Sequence, residues 1–548
     1  MFCYHCQEAK KNKACDTTGI CGKKAPVASL QDLLVYVLKG LSFYVIKAHQ
    51  VDIKTTRIDS FTAQALYATV TNVNFDSAEF VRLISETVQR RKVLSKQLTL
   101  PTDETIPDEA LWDYERIDEA TFIEQGNTLS VPTLLKENEA YHGLRESLVY
   151  SVKGLASLIE HSSVLGYKNQ DLYDFVHQAL NFSINEHTVD ETLAMNLHCG
   201  KLGLEAMALL NQANTETFGH PVPTKVHTDV WNNPAILISG HDLQDIEELL
   251  EQTAGTGVDV YTHGEALVAH AYPKFKRFFN LVGNYGGAWQ DQKNQFTKFN
   301  GALIVTTNSL QQAKKTYQEK LFTTGMVGWD AIPHIDDRKP DQTKNFATLI
   351  EQAKQNPPPT LLTDTTVITG YGLHSLLALK KEIATAIQAS EIKRIIVIAG
   401  CDGRHKERRY YTELVEALPH DWLILTAGET KYRFNQLDLG EIKGIPRLLD
   451  AGQTNDFYAI ISFLQSLQTE LGLTELNKMP VSFNIAWYEQ QTIIIFLALL
   501  ELGVKNIRLG PTLPPFFNQD ILEKLSDAFA LKGIDTVEAD IKAMLKGQ

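Results

Sequence analysis

Cysteine is scarce in this chain: six residues in 548, with only Cys199 and Cys401 lying beyond residue 21. A disulfide-stapled secreted domain is therefore not expected. The first residues are polar and crowded with the other four cysteines, so they lack the apolar core of an export signal. Long apolar runs are lacking as well. The best, residues 492–504, is too short for a bilayer and carries Glu501, so no membrane span is expected. Basic residues are not in excess either: 52 Lys and Arg stand against 66 Asp and Glu, a net charge of −14. Nucleic acid and anionic membranes, which demand clustered cations, are excluded as partners on that ground. What remains is ordinary for a globular protein, with 44% hydrophobic and 22% charged residues. The length implies about three domains, and a reducing cytoplasm is the expected home.

The scarce residue is concentrated at one place. Cys3, Cys6, Cys15 and Cys21 form C-x2-C-x8-C-x5-C. Disulfides, a structural zinc and an iron–sulfur cluster are the three candidate explanations. Zinc sites usually present two tight CxxC pairs, and here the second pair is spread. Three closely spaced thiolates and a fourth slightly further on suit a cubane, in which each iron takes one cysteine. Cys199, inside a helical stretch, reads as a small core thiol.

The pattern predicts an α + α/β multidomain protein, with helical bundles followed by two α/β domains of mostly parallel sheets. Residues 30–50 place Leu30, Leu33, Leu34, Val37, Leu38 and Leu41 on one face. A helix over 77–98 is expected with Ser77 as its N-cap, a surface connection over 99–119, and further helices at 137–165, 170–182 and 188–213. Hydrophobic strands then alternate with single helices, which indicates parallel sheets covered on both faces. The breaker KQNPPPT (354–360) suggests domains of 1–222, 223–360 and 361–548.

Ligands of such sheets bind at the carboxyl ends of strands. The residues expected there are His241, His263 and Glu265, Ser309, Cys401, Glu429 and Glu489. His241 could instead cap the following helix, and Glu265 could be a solvated loop carboxylate. Glu489 follows two aromatics at a buried strand end, where an unpaired carboxylate is costly, so a ligand role is favoured. Cys401 lies in a Gly-flanked turn at a helix start, where a thiolate is stabilised.

The cysteine spacing, with SGHDLQDIEELLEQTAGTGVDVYTHGE, HAYPKF, VGNYGGAW, FTTGMVGW, IAGCDGR, IPRLLDAGQTND, WYEQ and GVKNIRLGPTLP, resembles the hybrid cluster (prismane) protein family over the whole chain. The resemblance implies an N-terminal helical domain and two α/β domains. It also implies an N-terminal cluster, of the [4Fe–4S] kind given the tight spacing, and a 4Fe–2O–2S hybrid cluster at the domain junction. The activity implied is reduction of hydroxylamine or nitric oxide, with protection from nitrosative stress. His241, Glu265 and Glu489 match the family's non-cysteine hybrid-cluster ligands, and Cys401 its persulfide cysteine. Three further family cysteines are replaced, by Ser309 in TTNS, Glu429 in GETKYRFN and Thr454 in GQTND, and a family lysine reads Gln491.

Ser and Thr are poor substitutes for soft thiolates, whereas His241, Glu265, Glu429 and Glu489 form a hard donor set. The expectation is a cytoplasmic redox enzyme, monomer or homodimer, receiving electrons from a donor protein at the cubane. It would pass them to a remodelled second metal centre, iron by preference, where a small inorganic N–O substrate binds. Catalytic roles fall to Glu489, Cys401 and His241. An oxygen- or peroxide-reacting di-metal protein and a non-catalytic sensing homologue are the alternatives.

Overall fold

The computed structural model describes residues 2–129, 139–307, 309–339 and 341–547. Its first part is helical: α1 (Ala25–His49), α2 (Thr56–Ala68), α3 (Ser77–Ser95), α4 (Asp108–Leu111), α5 (Glu119–Thr128), α6 (Glu139–Val164), α7 (Gln170–Phe182) and α8 (Val189–Phe218). Helix α1 begins with a proline in its first turn and buries all six of the apolar residues its spacing singles out. Two expectations are corrected here. The N-cap of α3 is Asp76, whose carboxylate accepts from the Ala78 amide, so Ser77 is already helical. The stretch 99–119 is more than a surface connection. It contains α4, which buries Ala110 and lays the Glu109 carbonyl so close to Gly40 that a Cβ there would stand 1.9 Å away. The expected start of α6 at 137 lies outside the described residues.

A third correction concerns membranes. Helix α1 is long and apolar enough to cross one, contrary to the expectation that no segment is, yet 78% of its most apolar window is buried inside the protein. Its apolar surface is covered by the neighbouring helices α3, α5 and α7.

The chain continues as β1 (Thr224–His227), β2 (Ala235–Ser239), α9 (Leu243–Thr253), β3 (Asp259–His263), β4 (Leu281–Asn284), α10 (Gln292–Phe299), β5 (Ala302–Val305), β6 (Leu321–Thr324), β7 (His334–Ile335) and α11 (Ala347–Lys354). Strands β2 to β7 form an all-parallel sheet in the order β4-β3-β2-β5-β6-β7. The chain runs outward from β2 on one side and returns to its other side at β5. The topological switch therefore lies between β2 and β5.

Beyond it come β8 (Thr366–Thr369), α12 (Leu373–Ala378), α13 (Lys380–Gln388), β9 (Arg394–Gly400), α14 (Arg409–Ala417), β10 (Trp422–Thr426), β11 (Glu441–Ile442), β12 (Ile445–Pro446), β13 (Leu448–Asp450), α15 (Phe457–Glu470), β14 (Val481–Ala486), α16 (Gln490–Glu501), β15 (Arg508–Gly510), α17 (Gln519–Phe529), β16 (Lys532–Gly533) and α18 (Val537–Leu545). The second sheet, β13-β10-β9-β14-β15-β16, is again all parallel, with its switch between β9 and β14. The antiparallel pair β1–β8 ties together the chain on either side of the 354–360 run.

Helix α16 explains the run at 492–504. Its residues from Gln490 to Leu500 are all buried, because it packs under α6 and α8. Gly154 of α6 meets the Gln490 carbonyl and Gly200 of α8 meets Leu497, approaches that no larger residue permits. The helical part and the second sheet thus share one hydrophobic core.

Candidate functional site

The cysteine loop precedes α1 and lies across the end of the second sheet. Cys3 and Cys15 pair through their backbones, N to O at 3.0 and 2.8 Å, which folds the loop back on itself. The Gln7 amide donates to the Tyr488 carbonyl at 2.8 Å, and the His5 carbonyl accepts from the hydroxyls of Tyr150 and Thr71. Cys15 is buried and the other three are half-buried, all as free thiols. The four are close enough to feel one another. Burial, then Cys21, Glu8 and Cys3, push the Cys6 thiol well above its usual range, and burial raises Cys21, with Cys3 and Cys15 adding to it. Lys23, buried behind the loop, reaches to 3.9 Å from the Cys3 sulfur.

The inner site is built from strand ends. His241 follows β2, Glu265 follows β3, Ser309 follows β5, Cys401 follows β9, Glu429 follows β10, Thr454 follows β13 and Glu489 follows β14. Both switch points therefore contribute: His241 and Ser309 from the first sheet, Cys401 and Glu489 from the second. All seven are buried. The Cys401 sulfur lies 3.4 Å from Glu489 Oε1, 3.3 Å from Thr492 Oγ1 and 3.8 Å from Thr454 Oγ1. Thr454 binds both oxygens of Glu265, through its amide and its hydroxyl, each at 2.8 Å. The other Glu489 oxygen accepts from the Gln491 amide at 3.0 Å, and Gln491 reaches back to Ser157 on α6.

His241 is oriented by Thr307, which accepts from its amide at 2.6 Å and meets Nδ1 at 2.9 Å. That leaves Nε2 facing Glu265, 3.9 Å away, the arrangement by which a neighbour fixes a ring for its other nitrogen's partner. It does not cap α9. Glu429 accepts from the Trp289 amide at 3.2 Å and crosses Gly264, where a Cβ would stand 2.5 Å from its Oε1. The +61° φ of Gly264 makes the same demand for glycine. Ser309 sits at the β5 end with its carbonyl accepting from Gln292. His263 turns away, bonded to Ser239 and Gln295, and Cys199 is a core thiol, fully buried in α8.

Burial dominates the electrostatics. It pushes Glu429 well above the usual carboxylate range, with Glu265 adding to it, and raises Glu265 itself. It lifts Glu489 to about 7 and the Cys401 thiol well above normal, and it holds His241 well below. Lys431 is a neighbouring cation that Glu265 and Glu429 both feel, but its ammonium is spent on Asp450 and the Gly452 carbonyl. Three carboxylates crowded in this way require protons or a cation.

Among the described residues no group of three or more His, Cys, Asp or Glu side chains closes to a distance that grips an ion. Donor chemistry still separates the two places. Four mutually interacting thiols fit an iron–sulfur group. One thiol with three carboxylates and a histidine does not fit a sulfide-bridged cluster, which needs soft thiolates, but it matches the donors of a hard, oxygen-ligated ion.

Sequence reasoning missed the wall between the places. Trp289, Tyr488 and Cys401 form one buried cluster, the two rings 4.5 Å apart, and Cys6 packs against it. Only the aromatic pair in WYEQ and the GAW turn hinted at it. Lys431 and Thr492 were missed as well, each lying two or three residues beyond a singled-out glutamate.

The whole is a helical cap on two doubly wound parallel sheets, holding a thiol loop outside and a carboxylate-rich site within. The chain belongs to the Prismane/CO dehydrogenase family, which it matches over residues 1–542. It is 46% identical over 548 residues to a hydroxylamine reductase of Clostridium novyi (strain NT), spanning 100% of this chain and 99% of the relative. It is also 46% identical over 549 residues to a hydroxylamine reductase of Methanosarcina mazei, spanning 100% of both. Among solved structures, carbon monoxide dehydrogenase IV from Carboxydothermus hydrogenoformans shares the fold, with a TM-score of 0.57 at 14% identity. That likeness spans 100% of this chain and 92% of the other.

Proposed function

We propose that this chain is an iron–sulfur oxidoreductase that reduces a small N–O compound, with hydroxylamine as the substrate class. Cys3, Cys6, Cys15 and Cys21 would hold a [4Fe–4S] cluster, which would supply electrons to the inner site. One observation carries this reading: the packing of Cys6 against the Trp289–Tyr488–Cys401 cluster, which brings the thiol loop into contact with a residue of the inner site. The names of the full-length relatives supply the substrate class.

His241, Glu265, Glu429, Glu489 and Cys401 would hold the second centre, for which iron is the preferred metal. When bound, that metal supplies electrons and an open position for an oxygen ligand. The chain's own groups do the rest. Thr454 holds Glu265 by both oxygens, and Thr307 holds the His241 ring. Glu489 Oε1 faces the Cys401 sulfur at 3.4 Å, so the two would reach one ion together as deprotonated donors. Burial excludes water. Reduction of hydroxylamine to ammonia and water consumes two electrons and two protons, so both a wire and proton-bearing groups are required.

The test is iron, labile sulfide and turnover on protein purified without oxygen. Iron clearly above the roughly four per chain of one cubane, with hydroxylamine-dependent oxidation of a reduced dye, is expected. About four irons and no turnover would remove the inner site from the chemistry.

A further inference from the structure

The outward side of the cysteine loop stands apart from the rest of a chain that carries a net charge of −14. Lys10, Lys11 and Lys13 project from the turn between Cys6 and Cys15, and all three are exposed. Lys293 lies within electrostatic reach of Arg404, Lys314 and Cys21. The link to Cys21 is direct, since the Gln312 amide donates to its carbonyl at 3.1 Å and Arg404 reaches the Ile20 carbonyl at 3.4 Å. Ile20, an apolar side chain 49% exposed, lies beside Arg404, which reaches its carbonyl.

Two of these cations already carry a carboxylate partner, and Lys11, Lys13, Lys293 and Lys314, with no ion pair among the described residues, give the rim its sign. Asp16 is paired with Lys10 at 3.2 Å, Glu8 is buried against Arg404, and Glu407 is bonded to His405. Cations beside an exposed apolar residue are what an acidic partner reads: charge steers the encounter and the apolar residue anchors it.

We propose that this basic rim is the docking surface for a small acidic electron-carrier protein of the ferredoxin class, and it rests on the reading that electrons enter at the loop. Cys3, Cys6 and Cys21 are only half-buried, so a carrier seated over Ile20 lies against the thiols themselves. One electron leaves the carrier's reduced iron–sulfur centre and enters the group on the loop; nothing else is exchanged.

The experiment uses the complete, metal-loaded chain and an acidic [2Fe–2S] ferredoxin as probe, with a basic cytochrome as the opposite-charge control. Binding of the oxidised ferredoxin is titrated at low and high salt, and reduction by the reduced ferredoxin is followed by stopped flow. The chain is expected to bind the ferredoxin and not the cytochrome, and to lose that binding as salt rises. Lys293→Glu with Lys314→Glu, both outside the loop, should lower the association rate about tenfold or more at low salt. Electrolytic reduction through a neutral mediator should be unchanged in that variant. Adding Lys10→Glu and Lys13→Glu should deepen the loss. Equal binding of ferredoxin by the charge-reversed and unaltered chains, or equal binding of the cytochrome, overturns the proposal. The binding titration reads the rim whether or not hydroxylamine is turned over, so a wrong substrate and a wrong docking surface give different results.

Discussion

Four thiols within 19 positions make the outer place, held by backbone pairing in a loop at the molecular edge. Seven strand-end residues drawn from His241 to Glu489 make the inner one, held by the ends of two sheets. The first is local, half-exposed and soft in its donors. The second is assembled from distant chain, buried and mostly hard. A loop of this kind can be read from spacing alone, whereas the inner site exists only once both switch points face each other. The difference also separates what each can lose. A loop cysteine has no substitute, while the inner site carries Ser309, Glu429 and Thr454 at strand ends that are packed and hydrogen-bonded.

The largest expected effect breaks the comparison from the outer side. Cys15→Ser replaces the buried member of the loop and should abolish the iron–sulfur absorption and dye-linked turnover together. Cys199→Ala, in the core of α8, should leave both unchanged. A Cys15→Ser protein with a full cluster spectrum would show that the loop binds something else.

Next comes an attempt to make the inner place resemble the outer. Ser309→Cys, Glu429→Cys and Thr454→Cys together convert a hard donor set into a soft one. The triple variant is expected to gain labile sulfide and iron when loaded without oxygen, because thiolates retain sulfide-bridged iron. No gain in sulfide would mean that the scaffold, rather than the donors, excludes such a cluster. Within the natural donor set, Glu489→Gln should cut turnover about 10²-fold or more with the loop's spectrum intact. A spectrum that changed in step with turnover would mean the two places are not separable.

The wall between them gives a smaller effect. The Trp289 indole N–H donates to the Asp402 carbonyl at 2.8 Å in the buried interior. Trp289→Phe keeps the ring contact with Tyr488 but orphans that carbonyl, and should cost about 1–2 kcal/mol in denaturant unfolding. Iron content should not change.

Much of the fold was legible because its signals are periodic. The α1 face, the hydrophobic strands of both sheets and the helices between them follow from spacing. The strand-end rule then located His241, Cys401 and Glu489 from position alone. What escaped has physical reasons. Asp76 caps α3 in place of Ser77 because capping depends on where the chain turns, and both residues can cap. Helix α4 forms in an acidic, Pro-containing stretch because Gly40 leaves room for it, a tertiary cause. Trp289 and Lys431 were invisible because their roles come from neighbours more than a hundred residues away or across a turn. The apolarity of α1 was underrated because its polar residues interrupt the run without lowering its mean hydropathy enough.

The last effect tests whether burial, and not the inner site's own crowding, raises carboxyls in this region. Glu160 lines a cavity of about 720 Å³ between the helical part and the first sheet, and belongs to neither place. Burial lifts its carboxyl from 4.5 to about 7, with Asp337 adding, while a hydrogen bond from Gln64 at 3.0 Å and the charge of Lys168 oppose the rise. Below pH 4.5 the folded and unfolded chains both hold the proton, and Glu160 is neutral to stability. As pH climbs toward 7 the unfolded chain releases a proton that the folded chain keeps, so stability falls, and above 7 the full cost is present. The shift sets a ceiling of about 3 kcal/mol, and because the side chain retains some exposure the cost should be about 1–2 kcal/mol. Glu160→Gln should therefore be more stable than the unaltered chain by that amount in urea unfolding at pH 8, and equal to it at pH 4. Equal midpoints at pH 8 would mean that burial alone does not raise carboxyls here, and the high values at Glu429 and Glu489 would then have to come from the company those residues keep.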